Sequence, residues 1–300
     1  MSSRGKDMRR AYFKNNWIAA LVVAPQLLII FVFFYWPTSQ ALYWAFTFEQ
    51  PWGGGNEWAG FENFRMILTD GRYWDSIRVS IVYAAGATVL SMGMALILAV
   101  FADRQLRGYK YYRIGAIWPY AVAAPAVGLA FRFIFNPSAG IMSYVNAAFP
   151  GFWDPILNGD HALLMVIIAG AWKQVAYNFI FFLAGLQSIP RSLIEAGAMD
   201  GATVLRRMRD IQLPLLAPTF FFVLVINITD SFTDSFGIVD TMTAGGPARA
   251  TNLMVYKIYV DGFQGLDYSG AAAQSIILMF LVIALTVIQF RYIERKVHYT

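Results

Sequence analysis

The chain has no cysteine and only two histidines, His161 and His298, far apart in sequence. These absences exclude a disulfide framework and a thiolate metal centre, and they leave no plausible metal site. Charge is also scarce: Asp, Glu, Lys and Arg make up 14% of the residues against 58% hydrophobic. No G-x-x-x-x-G-K-[ST] phosphate loop occurs, so any ATP hydrolysis must come from another polypeptide. Serines occur without a nucleophile elbow, so hydrolytic chemistry has no visible centre. What is abundant is apolar surface, more than a soluble core of this size could hide. The fitting solvent is lipid.

Six apolar runs, roughly 17–36, 77–101, 114–133, 162–183, 215–236 and 270–290, each approach the length an α-helix needs to cross a bilayer. The first follows a basic tail, but its length and the bulky "FFYWP" at its end argue for a retained anchor over a cleaved signal. The expected fold is all-α: one polytopic membrane domain over 1–300 with six transmembrane helices. Basic residues orient it. Arg4, Lys6, Arg9, Arg10 and Lys14 precede the first run, and Arg104, Arg107, Lys110 and Arg113 join the second to the third. Arg191, Arg206, Arg207 and Arg209 join the fourth to the fifth, and Arg291, Arg295 and Lys296 follow the sixth. The opposite connections hold only Arg65, Arg72, Arg78, Arg249 and Lys257. This bias puts both termini and the 190–214 connection in the cytoplasm. The net charge of +5 is therefore a topology signal, with no nucleic-acid partner implied.

On the opposite side, 37–76 reads as a folded cap or short helices, with an irregular connection equally open. Gly245 to Pro247 reads as a tight turn. Pro119, Pro125 and Pro218 predict kinks in the third and fifth runs, tolerated where neighbouring groups satisfy the freed carbonyls.

The 190–214 connection is polar between two greasy runs. Pro190 stops the preceding helix, and "SLIE" reads as a capping box with Ser192 at the N-cap and Glu195 three positions on. Asp200-Gly201 breaks that helix, a second run starts at Ala202, and Pro214 suits the first turn of the next span. Such a helix-turn-helix either presents Leu193, Ile194, Ala196 and Ala198 to another protein's groove or lies against the membrane through its arginines.

The segment resembles the cytoplasmic signature of permease subunits of binding-protein-dependent ATP-binding-cassette importers: E-A-A, three residues, G, nine residues, I, one residue, L-P. It maps onto Glu195, Ala196, Gly197, Gly201, Ile211, Leu213 and Pro214, with Gly197 replacing the usual alanine, and Ser192 and Asp200 join these as the expected ATPase-coupling residues. "WKQVAYNFIFFLAGLQSIPRSLIEA", "TAGGP" and "YKIYVDGFQGLDYSGAAAQS" extend the likeness to the carbohydrate-uptake class, in its sn-glycerol-3-phosphate branch. The resemblance implies a type I importer permease in the inner membrane, in which this loop docks on an ATPase. It also implies a second permease, two ATPase copies carrying ATP and magnesium, an extracytoplasmic substrate-binding protein, and no cofactor on this chain. The expected cargo is sn-glycerol-3-phosphate or a related glycerophosphodiester, with a non-phosphorylated sugar or polyol as the alternative. An ion-coupled secondary transporter would show inverted repeats, and none are visible.

Charges inside spans are costly and face cavities or partners. Lys173 lies midway along the fourth run, Arg132 near the outer end of the third, and Asp230 and Asp234 in the outer part of the fifth. Asn227, Asp230 and Asp234 share one helix face, as do Lys173 and Tyr177, with Gln174 and Asn178 beside them. One reading is a polar sector where Lys173 and Arg132 meet a phosphate, and Asp230, Asn227 and Asn178 meet hydroxyls. The other has Lys173 pin two helices through Asp230 while Arg132 reaches toward the outer head groups.

Overall fold

The computed structural model describes residues 16–49, 55–104 and 108–292. The tail arginines and lysines of residues 1–14, together with Arg107, Arg295 and Lys296, lie outside them. Helix α1 (Asn16–Ile30) runs through a π-helical turn (Phe31–Tyr35) into α2 (Trp36–Ala45), so the first span continues well past position 36. The 37–76 region then forms a two-stranded antiparallel hairpin, β1 (Thr47–Glu49) on β2 (Asn56–Trp58), followed by α3 (Glu62–Thr69). The expected all-α fold therefore carries a small sheet. Asn63 holds it in place, donating from Nδ2 to the Ala45 and Thr47 carbonyls at 3.0 Å each.

Helix α4 (Gly71–Asp103) starts at an Asp70 N-cap whose carboxylate accepts from the Arg72 N–H at 3.0 Å. Its buried positions Tyr83, Ala87, Ser91, Ala95 and Ala99 recur every fourth residue, a stripe of mostly small side chains. In lipid, burial of apolar area gives little drive between helices, and small residues allow the backbones to approach closely. The stripe packs along α8 (Gly159–Ser188), where Gly170 leaves room for the Tyr83 hydroxyl. Asn158 caps α8 by accepting from the Asp160 and His161 N–H groups, which places His161 in the first turn.

The third run is broken rather than kinked. Helix α5 (Tyr109–Ile117) tightens into a 3-10 turn (Trp118–Ala121), and α6 (Ala124–Ile134) leaves at 107°. Val122 and Ala123 are extended, and neither Pro119 nor Pro125 can donate the bond that would carry the helix across. Gly128 then lets α6 meet Thr241 of α13 (Phe236–Met242), with α7 (Met142–Ala148) lying between α6 and α8 in the chain.

After α8 come α9 (Arg191–Met199), α10 (Val204–Arg207), a π-helical turn (Met208–Gln212) and α11 (Leu213–Leu215). A 67° bend at Leu216 leads into α12 (Ala217–Thr233). Pro214 thus belongs to the helix before the bend, and Pro218 occupies the first turn of the span, correcting both expectations. The ring of Pro218 needs no N–H partner there, so the bend absorbs its effect. Beyond α13, Gly245 takes φ +77° and the Gly246–Pro247 bond is cis, forming the tight turn. Helices α14 (Met254–Tyr259) and α15 (Tyr268–Tyr292) complete the chain. Among the described residues, four helical stretches are each long and apolar enough to cross a membrane, or up to six if each bent pair counts as one span.

Candidate functional site

The polar residues of α8 and α12 meet in a cavity of about 210 Å³, walled by Tyr83, Tyr120, Lys173, Tyr177, Asp230 and Asp234. Lys173 comes from the middle of α8, and its Nζ donates to Asp234 Oδ2 at 2.8 Å. The pairing expected with Asp230 is therefore corrected: Asp234, at the C-terminal cap of α12 and one turn further out, is the ion-pair partner. The Lys173 side chain is 21% exposed and that of Asp234 69%, so the pair sits at the cavity mouth. Asp230 forms no ion pair among the described residues, which leaves its carboxylate facing the cavity.

Asn178 does not reach the cavity. It is fully buried, and its Nδ2 donates to Ser91 Oγ at 3.0 Å and to Asn227 Oδ1 at 3.1 Å. Asn227 returns a bond from Nδ2 to Asn178 Oδ1 at 2.6 Å and also reaches the Val223 carbonyl at 2.7 Å. Gln174 continues the network to Ser231 Oγ at 3.1 Å. This closed set pins α4, α8 and α12 together, so Asn178 has no capacity left for cargo. Asn227 still edges the cavity, though both its amide groups are engaged. Ser91 was missed by sequence reasoning, since a lone serine in an apolar run carries no signal by itself.

Arg132 is separated from Lys173. The break at Val122–Ala123 swings α6 toward α13, and Arg132 Nη1 donates to the Thr241 carbonyl at 3.3 Å. There the guanidinium borders a different cavity, about 280 Å³, with Asn136, Thr243 and the Gly246–Pro247 turn. A joint Lys173–Arg132 phosphate clamp is thus not present.

The 190–214 loop forms α9 and, folded against it, a second run made of α10, the π-helical turn and the start of α11. Helix α9 begins at Arg191 behind a Pro190 N-cap, and no side chain caps it. The Ser192 capping box is therefore absent, because Ser192 already lies inside the first turn and Glu195 is exposed. At the other end Gly201, with φ +77°, donates to the Ala198 carbonyl at 3.1 Å, and Ala202 donates to Gly197 at 3.0 Å. These two bonds close the helix with a left-handed glycine turn. Thr203 caps α10, accepting from the Arg206 N–H at 3.3 Å. Gly197 permits the fold-back: a Cβ there would stand 2.8 Å from Ile211 Cδ1. Arg207 Nη1 locks the turn by donating to the Ala202 carbonyl at 2.6 Å. Ile211 and Leu213 are half-buried by this packing, while Leu193, Ala196, Ala198, Met199 and Asp200 remain exposed.

A helical membrane chain with a polar cavity between two spans, and a folded loop joining those same spans, fits the architecture of a transport permease. Residues 16–299 match the binding-protein-dependent transport system inner membrane components, and the chain belongs to that family. It is a multi-pass inner-membrane transport subunit and not itself an enzyme. Among its relatives, the sn-glycerol-3-phosphate transport system permease protein UgpA of Rhizobium meliloti (strain 1021) is 49% identical over 292 residues, covering 97% of this chain and 100% of that protein. The protein of the same name from Salmonella typhi is 44% identical over 290 residues, covering 97% and 98%. The fold is shared with a solved bacterial ABC transporter involved in import of the acidic polysaccharide alginate, with a TM-score of 0.81 at 20% identity, covering 93% of this chain and 96% of that one.

Proposed function

We propose that this chain is the permease subunit through which sn-glycerol-3-phosphate, or a related glycerophosphodiester, crosses the membrane in an ATP-driven importer. The carrying observation is covalent: α9 to α11 connect α8, which bears Lys173, directly to α12, which bears Asp230 and Asp234. A force on the exposed face of α9 is delivered to the two helices that wall the cavity. The partners are a second permease completing the pathway, two copies of an ATPase seated on Glu195 to Gly201, and an extracytoplasmic binding protein that delivers cargo. ATP and magnesium belong to the ATPase subunits. Nucleotide binding there favours the outward-facing state, so alternating access is a population shift driven by differential binding. The relatives' names supply the substrate class, and Lys173 supplies the cationic donor for its phosphate.

A second reading, a neutral polyol as cargo, is favoured by one observation: the two carboxylates of the cavity outnumber its single lysine. Uptake of radiolabelled sn-glycerol-3-phosphate by the purified complex in proteoliposomes tests both. Uptake that requires ATP and yields to glycerophosphodiesters supports the phosphate reading. Competition by unphosphorylated glycerol or sugars alone supports the polyol. Uptake driven by an ion gradient without ATP overturns the importer.

A further inference from the structure

At the end of the spans where the loop lies, a depression of about 670 Å³ opens between four elements. Asp103 and Arg104 close α4, Arg113 lies in α5, Leu186 to Ile189 end α8, and Arg191 to Glu195 begin α9. A second lobe of about 360 Å³ shares Asp103, Arg104, Leu186 and Ile194, and adds Arg207. Four arginines thus surround two carboxylates. Among the described residues the side chains of Arg104 and Arg191 make no ion pair and no hydrogen bond. Two guanidinium groups converge on one hollow with donors to spare, and a guanidinium fork matches the geometry of a phosphate.

The position of the hollow selects the kind of phosphate. It lies at the C-terminal ends of the long apolar helices α4 and α8, and the neighbouring chain offers apolar side chains: Phe101 and Ile114, three residues before Arg104 and one after Arg113, are 53% and 67% exposed. Tyr111 and Tyr112 stand exposed beside them, as aromatic residues do at head-group level. A soluble anion would use the arginines alone, whereas a phospholipid uses them together with the exposed apolar side chains next to them in the chain. Basic pockets between spans on the cytoplasmic face are suited to anionic head groups.

We propose that this hollow seats the phosphate of an anionic phospholipid, with Arg104, Arg113 and Arg191 around the head group and the acyl chains along Phe101 and Ile114. The head group then ties the ends of α4 and α5 to α9, so the stiffness of the loop's attachment depends on the lipid.

The test uses the chain purified from its membrane with whatever subunits accompany it, placed in nanodiscs of phosphatidylethanolamine with or without phosphatidylglycerol. Native mass spectrometry reads the bound lipid. The Arg104→Gln, Arg191→Gln double variant is expected to bind phosphatidylglycerol about thirtyfold more weakly, the effect of two arginines beside a lipid surface. The Arg104→Lys, Arg191→Lys pair, which keeps the charge, is expected to retain most of the binding, separating a site from a folding defect. Unchanged phosphatidylglycerol binding in the double Gln variant overturns the proposal. Displacement by inorganic phosphate as effective as by lipid overturns it in favour of a soluble anion. Crosslinking of an Arg191→Cys variant to an ATPase subunit, with no lipid retained, overturns it in favour of a protein occupant.

Discussion

Lys173 can serve cargo or merely hold two helices, and its ion pair makes the two roles separable. A lone lysine at the centre of a span costs about 2.5–3.5 kcal/mol. Asp234, 2.8 Å away, offsets that cost and occupies the ammonium until something displaces it. If Lys173 meets the phosphate, Lys173→Ala lowers uptake by at least about two orders of magnitude while assembly and ATP hydrolysis persist, and Asp234→Asn, which frees the lysine, keeps most of the uptake. A purely structural pair predicts that either single change impairs assembly and that Lys173→Met with Asp234→Asn restores both assembly and transport. Normal uptake by Lys173→Ala removes the lysine from the pathway. Asn178 belongs to the opposite category. Truncating it strands Asn227 and Ser91 in the interior, which costs about 1–3 kcal/mol. Asn178→Ala is therefore expected to lower the unfolding temperature in detergent, with uptake per folded complex unchanged; full stability with lost uptake would return Asn178 to the pathway.

At the scale of elements, the 190–214 loop shows how far residue spacing carries. The stop at Pro190, the break at Gly201 and the second helical run after it were all legible, because a proline and a left-handed glycine act on the backbone locally. The capping role of Ser192 was not, since the helix starts two residues earlier, with Pro190 at the N-cap directly after Ile189, which is buried in the cluster that α4 and α8 share. The same limit applies to the third and fifth runs. Their prolines marked where the helices fail, but the angles of 107° and 67° follow from the packing of α6 on α13 and of Leu216 against α8. Arg132 was misplaced for that reason alone, as a straight helix would have aimed it elsewhere. Gly201→Val forces a branched side chain into a left-handed conformation, costing about 1–2 kcal/mol. That loss falls on a single helix end exposed to solvent. The expected result is a normally expressed protein whose ATP hydrolysis no longer responds to cargo, measured as the ratio of cargo-stimulated to basal hydrolysis. Retained stimulation would show that the turn at Gly201 is dispensable to the lever.

For the whole molecule, the decisive arrangement is that one loop closes a circuit through the cavity. Helix α8 descends from Lys173 to Pro190, α9 to α11 cross over, and α12 rises to Asp230 and Asp234. The Ser91, Asn178 and Asn227 network clamps the two spans and α4 at one level, and the Lys173–Asp234 pair bridges α8 and α12 again at the cavity. With those levels tied, a displacement of α9 can be transmitted as a tilt of the pair, whereas independent spans would dissipate it. In the proposed importer, transmission also requires a hard contact between α9 and the ATPase, and α9 has a face for it, since Leu193 and Met199 are exposed while the side facing Ile211 is packed. Scrambling residues 192–201 should therefore leave the chain folded and membrane-inserted but unable to retain an ATPase subunit through co-purification, with Glu195→Lys giving an intermediate loss. A scrambled loop that still brings the ATPase down with it would mean that the motor grips the permease somewhere else, and the covalent path between α8 and α12 would then be a tether without a lever.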